Sequence, residues 1–259
     1  MLEEPQQTSA MVSGGFRPVI DIPLGSPLEP GNGIYDPSKG QETINGFELP
    51  SAEVVRKALG IPLSVKVVKP IDVVLLIDTS ESMSASNKIS DAKKTATGFI
   101  NILQPTDSLQ ISTFGTRSKT LWPLSVVGLN SSTKGQMADM VNGVTELSGK
   151  SCLYSVLIQA YDGLSKEGDS EHARAIILFS DWRSDGEDAN CAEKSNDLTA
   201  KSEQAAQNPV KIYIIAYGAE ADKTTLQQIA RDFGGDLINP GDLQSLYNNI
   251  ADSYEAVPK

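Results

Sequence analysis

The sequence predicts an α/β fold: a doubly wound, mostly parallel central sheet flanked by helices, preceded by an irregular N-terminal arm. Three observations carry this. From residue 71 onward, short apolar runs alternate with segments of helical periodicity, the pattern of a sheet covered by helices on both faces. The first run, Val73-Val-Leu-Leu-Ile77, is continuous rather than alternating, which marks a strand buried on both sides. Seven of the 14 prolines fall within residues 1–50, which argues against a packed helical or sheet domain there.

Residues 1–69 read as an extended, Pro/Gly-rich arm, either a disordered leader or a segment that docks on a partner. Its apolar pieces are Val19-Ile20-Asp21-Ile22 and Phe47-Glu48-Leu49. Near its end, residues 51–59 suit a short helix, with Ser51 as N-cap and Gly60 as stop. Residues 63–69 alternate like a strand before Pro70. The main domain spans 70–257. Its expected strands are 72–77, 108–114, 119–123, 174–180, 210–217 and 236–239. Three helical faces lie between or after them. The first is Ile89, Ala92, Ala96, Phe99, Ile100 and Leu103; the second is Leu153, Val156, Leu157, Ala160, Tyr161 and Leu164. The last carries Leu243, Leu246, Tyr247, Ile250 and Tyr254. No internal repeat is visible.

At 259 residues the chain is long enough for one large domain, or a domain with an appendage. A net charge of −11 argues against a nucleic-acid partner, because phosphate binding needs a basic face. It favours cations or basic protein surfaces, and it also serves plain solubility. No apolar stretch reaches the length of a membrane span. The opening Met1-Leu-Glu-Glu-Pro5 shows no basic-then-apolar signal pattern, so a cytosolic chain and a mature extracellular fragment both stay open. His172 is the only histidine and is expected at the surface; with two cysteines there is no Cys/His zinc cluster.

Residues 73–83 are the most informative stretch. The apolar run ends in Asp78, and Ser80 and Ser82 follow at alternate positions. In open α/β sheets, ligands bind at the carboxyl ends of the strands. Three oxygen-bearing side chains at that edge suit a hard divalent cation. The competing reading is a strand-to-helix turn, since Ser and Asp also cap helices.

This stretch resembles the first segment of the metal-ion-dependent adhesion site of von Willebrand factor type A domains, Asp-x-Ser-x-Ser, with Glu81 where the family usually has Gly. Further along, Ala175-Ile-Ile-Leu-Phe-Ser-Asp181, Lys211-Ile-Tyr-Ile-Ile-Ala-Tyr-Gly218 and Leu226-Gln-Gln-Ile-Ala-Arg-Asp-Phe-Gly-Gly235 resemble later segments of the family in the same order. The resemblance covers about residues 70–257. It implies a cation held by three loops. The first supplies Asp78, Ser80 and Ser82. The second places Ser151 where the family has Thr, within Ser148-Gly-Lys-Ser-Cys-Leu-Tyr154. Ser151 also reads as the N-cap of a helix over 152–165, and Lys150 stands beside the site, able to weaken metal binding or to pair with Glu81. The third supplies an Asp after the fourth strand. Asp181 and Asp185 compete for that role, and strand position favours Asp181. Asp185, Glu187 and Asp188 read as solvated rim charges or as a second cation cluster. Cys152 and Cys191 fall in loops that approach the same rim, as a disulfide or as two free thiols. A disulfide would favour an oxidising, extracellular setting.

The implied cofactor is Mg²⁺, with Mn²⁺ or Ca²⁺ as alternatives. The implied partner is a protein that supplies a carboxylate to an open metal position, in adhesion or assembly. Trp182 is either a contact for that partner or a packed amphipathic ring. A second reading is an intracellular accessory subunit of an ATPase or chelatase-type machine. A third, a Mg-dependent phosphoryl-transfer enzyme, is disfavoured. A dehalogenase-type phosphatase needs a second Asp where this chain has Ser80, no Walker-type phosphate loop is present, and one His leaves no evident Ser-His-Asp set. No catalytic residue is therefore expected.

Overall fold

The structure, a computed structural model, describes residues 69–145, 147, 149–183, 188–204 and 209–253. The arm, with its expected helix at 51–59 and strand at 63–69, lies outside the described residues, as does Tyr254. The elements are β1 (Ile71–Asp78), a 3-10 segment (Glu81–Asn87), α1 (Lys88–Ile102), β2 (Ser108–Phe114), β3 (Ser118–Val126), α2 (Ser131–Asn142), α3 (Leu153–Glu167), β4 (Ala173–Ser180), α4 (Ser195–Gln204), β5 (Val210–Ala216), α5 (Lys223–Asp232) and α6 (Leu243–Ala251).

The strands form one mixed, mostly parallel sheet in the order β3-β2-β1-β4-β5. β1 lies at its centre, parallel to β2 and β4, and all eight of its residues are buried. Its side chains split by parity, as the pleat requires. Ile71, Val73, Leu75 and Ile77 face a core built with Ala92, Ala96 and Phe99 of α1, Met137 and Val141 of α2, and Leu246 and Ile250 of α6. Val74 and Leu76 face the other core, with Leu153, Val156 and Leu157 of α3, Leu198 of α4, and Leu226 and Ile229 of α5. A continuous apolar run is therefore the correct signature of β1, because neither of its faces meets water.

Three expectations are corrected. The strand expected at 236–239 is reduced to a single bridge, Leu237 to Ile214. Gly235 comes so close to β5 that a Cβ there would lie 1.9 Å from the Ile212 carbonyl oxygen, and the segment then runs parallel to β5 only at this bridge, through the Ile214 N–H to the Asp236 carbonyl and the Ile238 N–H to the Ile214 carbonyl. β3 runs longer than the expected 119–123, and it pairs antiparallel to β2 at the sheet edge, where Pro123 is tolerated. Helix α5 was not expected, its segment having entered only through the family resemblance. Helices α2 and α4 were not expected either. Their described buried side chains are few, Met137 and Val141 in α2 and Leu198 in α4, too sparse to make a helical stripe.

The β1–β4 register pairs Ile77 with Phe179. The carboxyl ends of these central strands therefore finish side by side, with Asp78 next to Ser180. That edge, here called the crown, gathers the loops that matter.

Candidate metal centre

Asp78 closes β1 and is fully buried. One carboxylate oxygen, Oδ1, accepts the Ser80 backbone N–H at 2.8 Å. The other accepts the Ser180 hydroxyl at 2.5 Å. Burial pushes the Asp78 carboxyl up to about 6, against the lowering effect of the hydrogen bonds from Ser180 and Ser80. Ser180 also receives the Trp182 N–H, at 2.9 Å, on its hydroxyl oxygen. One hydroxyl thus fixes both the first-loop aspartate and the start of the third loop.

Ser80 and Ser82 follow in the turn, their hydroxyl oxygens 3.1 Å apart. Ser80 is extended (φ −65°, ψ 158°) and precedes the 3-10 segment. Glu81 takes no left-handed conformation; among the described non-glycine residues only Ser86 and Asn87 do. A Glu at this position therefore costs the backbone nothing. The Glu81 N–H donates to the Gly149 carbonyl at 3.0 Å, which joins the first loop to the second. Gly149 sits at φ +69°, where glycine is favoured.

Ser151 is buried at the base of the second loop. The expected N-cap role is not realised: the cap position is Cys152, without a side-chain cap bond, and α3 starts at Leu153. The Ser151 carbonyl accepts the Asp188 N–H at 3.1 Å. Its hydroxyl makes no hydrogen bond among the described residues. Cys152 and Cys191 form a disulfide that spans 39 residues of sequence and ties the second loop to the third.

Asp181 follows β4 directly and is buried. Its Oδ1 accepts the Ser82 hydroxyl at 2.7 Å, and its Oδ2 accepts the Lys88 ammonium at 2.7 Å. Ser80, Ser82, Ser151 and Asp181 together line a cleft of about 100 Å³, with Lys150 and Arg183 also on its walls. Asp78 lies behind Ser80, out of that cleft. Four of the five sequence-predicted residues thus share one cavity, and the fifth buttresses it. Asp185 and Glu187 lie outside the described residues. Asp188 serves a turn, accepting the Asn190 N–H at 2.8 Å. Lys150 makes no ion pair with Glu81 among the described residues.

Trp182 is buried, edge-on to Tyr154 at 5.6 Å between ring centroids, as a packed ring. His172 is not the plain surface residue expected; its Nδ1 lies 2.7 Å from Oδ1 of buried Asp72, at the opposite end of the sheet from the crown. No group of three His, Cys, Asp or Glu side chains is gathered among the described residues. The side chains of the cleft lining that could ligate a cation are three hydroxyls and a single carboxylate, beside the two cations Lys150 and Arg183.

Sequence reasoning missed three residues. Ser180 has a faint signal, a hydroxyl ending an apolar strand next to Asp. Lys88 has a better one, because it stands at i−4 from Ala92 on the buried stripe of α1, where a lysine needs a partner. Gly218 was noted only as a strand-end glycine. Its φ of +82° and the tight packing of Lys88 and Glu220 against it give it a purpose.

An open, mostly parallel α/β sheet with three crown loops converging beside its central strand defines a ligand-binding architecture of the doubly wound class. Residues 72–249 match the family model of the von Willebrand factor type A domain, and the chain belongs to that family. A search among curated proteins finds none that matches. Among solved structures, the fold is similar to a von Willebrand factor type A protein from Catenulispora acidiphila (TM-score 0.56, 16% identity, 71% of this chain and 42% of that one). It is also similar to manganese-loaded TRAP protein of Plasmodium vivax (TM-score 0.54, 18% identity, 71% and 74%). A third is the von Willebrand factor domain of the type V pili tip protein Mfa5 of Porphyromonas gingivalis (TM-score 0.50, 12% identity, 74% and 99%). The chain spans under half of the Catenulispora structure. Among the described residues, no helix is long and apolar enough to cross a membrane.

Proposed function

We propose that this protein is a divalent-cation-dependent protein-binding module, with the cation held at the crown by Ser80, Ser82, Ser151 and Asp181 and supported by Asp78. The observation that carries this reading is the meeting of three separate loops around one small cleft whose side-chain donors are oxygen. Ser151 lines this cleft, and its hydroxyl makes no hydrogen bond among the described residues, so it is available as a ligand. Oxygen donors without nitrogen or sulfur fit Mg²⁺, Mn²⁺ or Ca²⁺ rather than zinc or copper. The manganese in the Plasmodium vivax TRAP structure supports the same class of ion.

When bound, the cation supplies an electrophilic position that a partner carboxylate completes. The chain's own residues orient that position. Ser180 and the Ser80 N–H fix Asp78, Ser82 and Lys88 fix Asp181, and the disulfide holds the second loop against the third. The reading is binding, with no general base or nucleophile assigned to any residue of the site. The disulfide fits an oxidising, extracellular compartment and weighs against the intracellular accessory-subunit reading.

Thermal unfolding with Mg²⁺, Mn²⁺ or Ca²⁺ tests this. A cation that binds only the folded state stabilises it by mass action, by about 2.7 kcal/mol at a hundredfold excess over Kd, and so raises the midpoint. Asp78→Ala is expected to stay folded and lose that response. A parent protein indifferent to all three ions, with or without chelator, would sink the proposal.

A further inference from the structure

Lys88 is an oddity: an ammonium buried to 6% exposure at the crown of an acidic protein. It opens α1 on the same stripe as Ala92, Ala96 and Phe99, so its stem is packed like a core side chain. Its Nζ donates to Asp181 Oδ2 at 2.7 Å and lies 3.5 Å from Glu220 Oε2. The space it occupies is made by Gly218: a Cβ there would lie 2.8 Å from Lys88 Cε and 2.5 Å from Glu220 Oε2. Three segments, the start of α1, the loop after β4 and the loop after β5, therefore converge to seat one positive charge against a cleft-lining carboxylate.

Resting on the cation-binding reading above, we infer that Lys88 is the residue that sets the charge of the metal position, trading cation affinity for affinity toward a partner's carboxylate. Asp78 and Asp181 alone would cancel a divalent cation, and a neutral centre has little pull on an anionic ligand. Lys88 cancels Asp181 at contact distance, which leaves about one positive charge among the metal and the buried groups; Lys150 and Arg183 on the cleft walls are exposed, so solvent screens them more than it screens buried Lys88. Glu220 does not undo this, because its side chain is 54% exposed and solvent screens it. The opposing cost is that a fixed positive charge near the cleft repels the incoming cation. A purely positional role for Lys88, holding Asp181 in place, predicts something different: its loss would weaken both binding steps together.

Two titrations separate these. Mn²⁺ affinity is measured on the metal-free full chain by electron paramagnetic resonance of the free ion. Acetate, as the carboxylate probe, is then titrated onto the Mn²⁺-loaded protein while water-proton relaxation reports displaced metal-bound water. Lys88→Met is expected to bind Mn²⁺ roughly tenfold more tightly and acetate roughly tenfold more weakly, since one nearby charge is removed. Lys88→Gln, which keeps a hydrogen bond to Asp181 without the charge, is expected to move the same way and stands in should the Met variant not fold. Lys88→Arg is expected to behave like the parent. Both affinities falling together, or neither moving, overturns the inference while leaving the cation site intact. A parent protein that takes up no Mn²⁺ overturns the cation site itself, and this inference with it.

Discussion

Asp78 is the residue on which the crown turns, and Ser180 is what makes it tolerable. A carboxylate without exposure must have its oxygens filled, because an unsatisfied buried acceptor costs about 1–3 kcal/mol. Ser180→Ala removes the partner of Oδ2 and frees the Trp182 N–H as well. We expect it to lower stability by roughly 1–3 kcal/mol in urea unfolding with chelator present, and an unchanged midpoint would show that water replaces the hydroxyl. Asp78, Ser80 and Ser82 were legible from spacing alone, since an apolar strand that ends in alternate oxygen-bearing residues is a local pattern. Ser180 and Lys88 were not, because their importance lies in what stands opposite them. Asp78 and Ser180 are 102 residues apart in sequence and meet only through the β1–β4 pairing.

At the scale of elements, three links among the described residues tie the third loop to the second loop and to the first turn of α3: the Cys152–Cys191 disulfide, the Asp188 N–H to the Ser151 carbonyl, and the Glu193 N–H to the Ser155 hydroxyl of α3. The covalent link constrains the unfolded chain most, because it closes a loop of 39 residues of sequence separation. Chain entropy alone then assigns it on the order of 4 kcal/mol. The double variant Cys152→Ser with Cys191→Ser is expected to unfold at correspondingly lower denaturant, and a loss below about 1 kcal/mol would mean that the noncovalent links suffice. The elements themselves were unevenly legible. β1, β2, β4 and β5 came within a residue or two at each end, because parallel strands between helices carry long apolar runs. α1, α3 and α6 showed clear stripes. α2 and α4 are surface helices with few buried side chains, and a polar helix has little pattern to read.

For the whole molecule, burial of acid groups shapes the response to pH. Asp78 is raised to about 6, and Asp107 is also raised by burial despite the Gln104 and Ile71 N–H bonds to its carboxylate. A raised acid binds its proton more readily folded than unfolded, so stability falls as pH climbs from the unfolded value through the folded one. Asp78 is therefore expected to contribute a gain on the order of 3 kcal/mol to the metal-free protein as pH drops from 7 toward 4, set against Asp222, whose carboxyl the Thr225 N–H and hydroxyl hold below its ordinary value and which works the other way. Denaturation midpoints in chelator across that range check it through the difference between the parent and Asp78→Asn, which should lack this gain; equal slopes in the two would contradict the burial argument. The sequence by itself determined the class of fold, the central strand and the first-loop candidates Asp78, Ser80 and Ser82. These depend on local hydrophobic period and short-range spacing, which a linear chain displays; Ser151 and Asp181 joined them only through the resemblance to the family. Tertiary structure decided which of those groups share a cleft, that Ser151 is not spent as a helix cap, that the cysteines meet, and that a lysine sits among the carboxylates. Those outcomes depend on strand order and register, and on a glycine that leaves room for another residue's side chain. No local pattern encodes them, because the partners are set by how distant segments pack.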